Sequence, residues 1–174
     1  MQFDLLPANV IGRDSATWSS HIIINRGTDD GVQKNMTVIT PDGLVGNIHE
    51  AYASYSEVEL ITDPRSAVGS IVQRADSRVA GIVKGSADSN SAINMTNIPQ
   101  NANIVEGDTI ITSGFGGIYP KGIPIGSVAA IKNDSGGLLQ YATLYPCVDF
   151  QKLENVAVIT VSYTHLTLPT NSRV

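Results

Sequence analysis

Thr112-Ser113-Gly114-Phe115-Gly116-Gly117-Ile118-Tyr119-Pro120-Lys121-Gly122-Ile123-Pro124-Ile125-Gly126 is the stretch on which the fold turns. Gly114, Gly116 and Gly117 fall within four residues, which suits a sharp reversal or a close approach of backbones. Pro120 and Pro124 fix φ and remove two donors, so no helix runs through the segment and no central strand uses it. Gly122 and Gly126 add further freedom to the backbone. The segment is a rigid, non-helical connector between two β-branched runs, Asp108–Thr112 before it and Ile125–Ile131 after it. Strand, connector, strand is the reading from which the rest follows.

The same alternation extends outward. Ile22–Ile24, Met36–Thr40, Gly43–Ile48, Val58–Thr62, Ala67–Gln73, Ala80–Lys84, Leu139–Leu144 and Val156–Thr160 are short runs rich in Val, Ile and Thr, bounded by turn formers. Such segments read as strands. Asp29-Asp30-Gly31 and Pro41-Asp42-Gly43 place glycine where a left-handed backbone closes a tight turn. Asn133-Asp134-Ser135-Gly136-Gly137 reads as the loop of a β-hairpin. No segment sustains helical periodicity; single turns of helix are expected at Ser54–Val58 and Phe150–Asn155, with Ser54 and Asp149 as N-caps. The fold class is therefore all-β with little helix. Many short strands at this spacing close into barrels or sandwiches, because an open sheet leaves adhesive edges.

Ser86–Asn103 is rich in Ser, Asn, Asp and Ala, and the pattern of turn then strand restarts after it. The division expected is a first β-barrel domain over 8–75 completed by 146–161, and a second over 76–145, the two packed side by side. Residues 162–174 break the pattern and read as a non-native tail.

Composition narrows the function. At 174 residues the chain can bury a core without disulfide staples, and 42% hydrophobic with 16% charged residues is the balance of a folded protein. A formal charge of −5 with scattered Lys and Arg offers no field for a polyanion, and three Phe and one Trp supply few stacking platforms. Nucleic acid is excluded as a partner. Cys147, the single cysteine, cannot form an intrachain disulfide, and with no His near it in sequence it reads as a small core residue.

Three chemistries could use residues of these types. Asp134-Ser135-Gly136-Gly137 matches the core of a chymotrypsin-like nucleophile loop, with His49 and Asp63 completing the order His, Asp, Ser. Asn133 stands where that loop has Gly, and a hairpin turn accounts for the same residues; a serine hydrolase with Ser135 as nucleophile is the alternative reading. His21, His49 and His165 are far apart in the chain and lack the spacing of metal ligands, so no metal is expected. The glycines of 114–117 precede prolines rather than a helix, so no phosphate cradle forms. No catalytic residue and no cofactor is expected.

Ser113–Gly126, read as a whole, is similar to the hallmark segment of the MreC family, the rod-shape-determining proteins of bacterial cell-wall elongation. Pro7–Asp14, Asn25–Val32, Thr40–Gly46, Leu60–Val68 and Val148–Phe150 agree with that family in the same order. The resemblance implies two small β-barrels outside the cytoplasm, in the periplasm or at the outer face of the membrane, anchored by an N-terminal transmembrane helix that this chain does not contain. It implies that residues 1–7 are the end of an upstream coiled coil or linker. It further implies a non-enzymatic scaffold that self-associates and binds MreD, the elongation penicillin-binding protein and RodA, with MreB reached across the membrane. Gly114, Gly116, Gly117, Pro120, Gly122, Pro124 and Gly126 form its structural motif. Phe115, Tyr119 and Trp18 are the candidate partner contacts, because large rigid aromatics dominate interface energetics.

Overall fold

A computed structural model of the chain describes residues 3–13, 20–86, 93–134 and 136–162, with backbone alone at 161 and 162. The described residues form twelve strands and two single-turn 3-10 helices. The strands are β1 (Phe3–Arg13), β2 (His21–Ile24), β3 (Thr37–Thr40), β4 (Gly43–Ala51), β5 (Ser56–Leu60), β6 (Ala67–Val72), β7 (Ala80–Gly85), β8 (Ile93–Pro99), β9 (Thr109–Thr112), β10 (Pro124–Asn133), β11 (Leu139–Pro146) and β12 (Asn155–Ser162). They close into two six-stranded antiparallel barrels, in the order β1-β12-β3-β4-β5-β2 and β10-β11-β8-β7-β6-β9. Closure removes the unpaired edges that so many short strands otherwise present.

The sequence pattern dictates which side faces in. In β5 the burial alternates strictly, with Ser56, Val58 and Leu60 inside and Glu57 and Glu59 outside, the period of two that a half-buried strand requires. Ile22, Ile24, Val38, Leu44, Ile48 and Val58 fill the first barrel, and Val83, Ile93, Met95, Ile98, Ile110 and Ile125 the second, all at most 1% exposed. Each such side chain contributes about 1.5–3 kcal/mol on leaving water.

The chain divides differently from the sequence-based expectation in two places. β6 lies within 8–75, yet it pairs with β7 and β9 and belongs to the second barrel. The change of barrel falls at the tight turns after β5, where Asp63 N–H donates to the Leu60 carbonyl and Ser66 N–H to the Asp63 carbonyl. Composition did not mark that point because Asp63-Pro64-Arg65 is a turn no different in kind from the others. Residues 3–7 are also strand, not coiled coil: Phe3 to Pro7 pair with β12 from Ser162 back to Ala157.

Of the expected helical turns, Phe150–Lys152 forms, with the Asp149 carboxylate accepting from Gln151 N–H at 3.1 Å. Ser54–Val58 does not: Tyr52 N–H donates to the Tyr55 carbonyl and the chain passes into β5, because β4 and β5 are joined by a short hairpin loop there. Thr28–Asp30 makes the other 3-10 turn, closed by Gly31 at φ 94°.

Candidate interaction surface and polar cluster

The connector between β9 and β10 leaves the second barrel and packs on the first. Its base is tied by Thr112, whose N–H donates to the Ile123 carbonyl at 2.9 Å and whose hydroxyl donates to the Pro120 carbonyl at 2.6 Å while accepting from Ile123 N–H at 2.8 Å. Gly114, Gly116, Gly117 and Gly122 have φ of 85°, 92°, 77° and 98°, backbone that L side chains rarely adopt. Gly126 serves differently: a β-carbon there would stand 2.4 Å from the Tyr145 carbonyl oxygen.

Inside this frame the hydrophobic residues part company. Tyr119 is 7% exposed and joins the core, with the Ser66 hydroxyl against its phenol; burial pushes that phenol well above the usual tyrosine range. Ile118 offers its carbonyl to the Thr37 hydroxyl of β3 at 3.2 Å. Phe115 stands 74% exposed at the tip. Beneath the tip, a groove of about 330 Å³ runs between the connector and the first barrel, lined by Lys34, Met36, Gly116, Ile118 and Ile159 among others. The result is a rigid loop, fastened at both barrels, that presents one large aromatic to solvent.

A polar cluster lies on the outer face of β2, β5 and β4. Asp63, 1% exposed, accepts from Arg65 N–H at 2.8 Å and from its guanidinium at 3.1 and 2.9 Å. Burial acts to raise the Asp63 carboxyl, but the Arg65 bonds outweigh it and hold the group below the usual range. His21 stands between two acids, with Nδ1 3.8 Å from Asp63 and Nε2 3.8 Å from Glu59. His49 packs edge-on against His21, ring centroids 5.2 Å apart, and its Nε2 is 3.8 Å from Glu57.

Residues 10–160 match the family model described as rod shape-determining protein MreC, barrel core. The chain belongs to the MreC family. The cell shape-determining protein MreC of Listeria monocytogenes is 33% identical over 159 residues, covering 90% of this chain and 54% of that protein. This chain thus spans about half the length of the curated MreC relatives it matches. A solved Listeria MreC structure superposes with a TM-score of 0.83 at 32% identity, over 91% of this chain and 76% of that one. Two more distant MreC structures share the fold. One is the major periplasmic domain from the cell shape-determining filament MreC, at 23% identity and TM-score 0.78 over 90% and 95% of the two chains. The other is a complex between the penicillin-binding protein PBP2 and MreC from Helicobacter pylori, at 16% identity and TM-score 0.70 over 92% and 100%.

Within the MreC barrels the three candidate aromatic contacts meet different fates. Phe115 is on the surface. Tyr119 is not: it plugs the seam between the barrels, since the prolines and glycines around it turn the loop inward at that point. Trp18 lies outside the described residues, as does Ser135. The neighbours of Ser135 form the expected hairpin turn, with Asp134 Oδ1 accepting from Gly136 and Gly137 N–H at 3.0 Å each. Cys147 is exposed rather than core, because it falls in the bend between β11 and the second 3-10 turn; partial desolvation of the thiol and the nearby Asp42 carboxylate raise its pKa. The pairing of His21 with His49 was invisible along the chain. The two belong to β2 and β4, which do not pair with each other but flank β5, and a bulge between Ile48 and Glu50 turns His49 toward β5. Among the described residues no helix is long and apolar enough to cross a membrane.

Proposed function

We propose that this chain is the barrel region of a non-enzymatic scaffold of the bacterial cell-wall elongation complex, which maintains rod shape by self-association and by binding peptidoglycan-synthesis proteins. The observation that carries the reading is the match of 10–160 to the MreC barrel core, joined to a surface that holds one exposed aromatic on a fastened loop. A rigid anchor loses little entropy when it docks, so a few such residues supply most of an interface's affinity. The relative solved with PBP2 supports an elongation penicillin-binding protein as partner, and the relative described as a filament supports self-association. By family resemblance MreD and RodA are further partners, and MreB is linked across the membrane. A transmembrane helix outside this sequence then anchors the barrels on the extracytoplasmic side.

The hydrolase reading finds less support. Asp134 accepts from the Gly136 and Gly137 amides, so the Asp-Ser-Gly-Gly residues are accounted for by a hairpin turn. Asp63 is committed to Arg65 and faces His21 rather than His49, so the acid that the sequence order supplied does not orient His49.

The test is a chimera in which residues 3–162 replace the barrels of a rod-shaped bacterium's own MreC. Rods are expected to persist when the native copy is depleted. Cells that round up while the chimera accumulates at the membrane contradict the proposal.

A further inference from the structure

Two histidines and a glutamate from three adjacent strands, His21, His49 and Glu57, converge where the scaffold reading has no use for them. A nitrogen of His21, a nitrogen of His49 and an oxygen of Glu57 all lie within 4.8 Å of one another. In tetrahedral zinc coordination, with bonds of about 2.0–2.1 Å, adjacent ligand atoms stand about 3.4 Å apart. His49 Nε2 stands 3.8 Å from Glu57 Oε1, so a small side-chain rotation brings that pair to ligand spacing. Two imidazoles on one tetrahedral ion hold their ring centroids about 5.2 Å apart, from the same bond lengths; His21 and His49 stand at 5.2 Å, with planes inclined at 65°.

The surroundings favour the same occupant. Metal-binding histidines commonly turn their second ring nitrogen to a carboxylate, which fixes tautomer and orientation. His21 Nδ1 faces Asp63, and Asp63 is itself locked by the Arg65 fork. The ring is thereby held beside the second histidine, the two centroids 5.2 Å apart. Two neutral imidazoles and one carboxylate are the donor types that zinc takes, and the carboxylate offsets part of its charge. Access is provided from one side: the His21 and Glu59 side chains are 9% and 16% exposed, whereas His49 and Glu57 are 47% and 35% exposed.

We infer that the outer face of β2, β5 and β4 is a zinc site, with His21, His49 and Glu57 as ligands and the fourth position open to water. Imidazole with carboxylate suits Zn²⁺ over Ca²⁺ and Mg²⁺, which prefer all-oxygen shells. An ion there ties three strands of the first barrel together.

The experiment is titration of the chain with Zn²⁺ against a chromophoric chelator, with Co²⁺ absorption as a second readout. One ion per chain is expected, with the intense visible bands of four-coordinate cobalt. His49→Ala and Glu57→Gln, both on exposed side chains, should each weaken binding at least tenfold, while His165→Ala leaves it unchanged. Zinc should raise the melting temperature of the unmodified chain and not that of His49→Ala. Binding that survives His49→Ala, that is lost with His165→Ala, or that shows only the weak bands of six-coordinate cobalt would overturn the assignment.

Discussion

Gly85 and Thr62 meet across the seam between the barrels so closely that a β-carbon on Gly85 would stand 2.1 Å from the Thr62 carbonyl oxygen and 2.5 Å from that of Asp63. The obstacle is backbone, which cannot swing aside as a side chain does. Gly85→Ala is therefore expected to destabilise the protein by at least about 2 kcal/mol, at the upper part of the range for overpacking. Urea unfolding measures it; a midpoint within error of the parent's would mean that the seam is looser than described.

A second expectation concerns acid. Arg74 donates to Asp108 from Nε at 2.6 Å and from Nη2 at 3.0 Å, and Val105 N–H adds a bond at 2.9 Å. The Arg74 bonds, opposed by burial, hold the Asp108 carboxyl below its ordinary 3.8. A carboxyl depressed in the folded state contributes stability above its unfolded pKa and loses it as pH falls through the folded value. Stability should fall with pH below about 4, with Asp63 contributing in the same window. Asp108→Asn should cost about 1–3 kcal/mol at neutral pH, and the gap between variant and parent should narrow in acid. Urea midpoints at neutral pH and near pH 3 decide it.

The strands legible in the sequence were those whose β-branched runs lie between turn residues, as in Ile22–Ile24 or Ala80–Lys84. β1 and β8 were not legible. β1 carries Pro7, Asn9 and Gly12, and β8 carries Asn94, Asn97 and Pro99; each is held by cross-strand partners rather than by local preference. Asn97 even takes φ 64° within its strand. The glycines of the connector announced its turns, but whether an aromatic within it faces in or out depends on the other barrel, so Phe115 and Tyr119 looked alike. The His21–His49 contact depends on two strand registers at once, information that no spacing along the chain contains.

Tyr119 separates volume from hydroxyl. Tyr119→Phe removes only the contact with Ser66 and should cost about 1 kcal/mol. Tyr119→Ala empties the seam and should cost about 3–5 kcal/mol. Denaturant melts of both variants check the order; equal losses would place the weight on the phenol rather than on the ring.

The account rests on the claim that these barrels bind another protein through an exposed, rigidly mounted aromatic. The direct measurement is the affinity of the barrels for the extracytoplasmic portion of the elongation penicillin-binding protein, by biolayer interferometry, with Phe115→Ala beside the parent. The substitution should leave folding stability within about 0.5 kcal/mol and weaken binding at least tenfold, about 1.4 kcal/mol. Equal affinity for parent and variant, or no binding by either at high micromolar concentration, would contradict the claim.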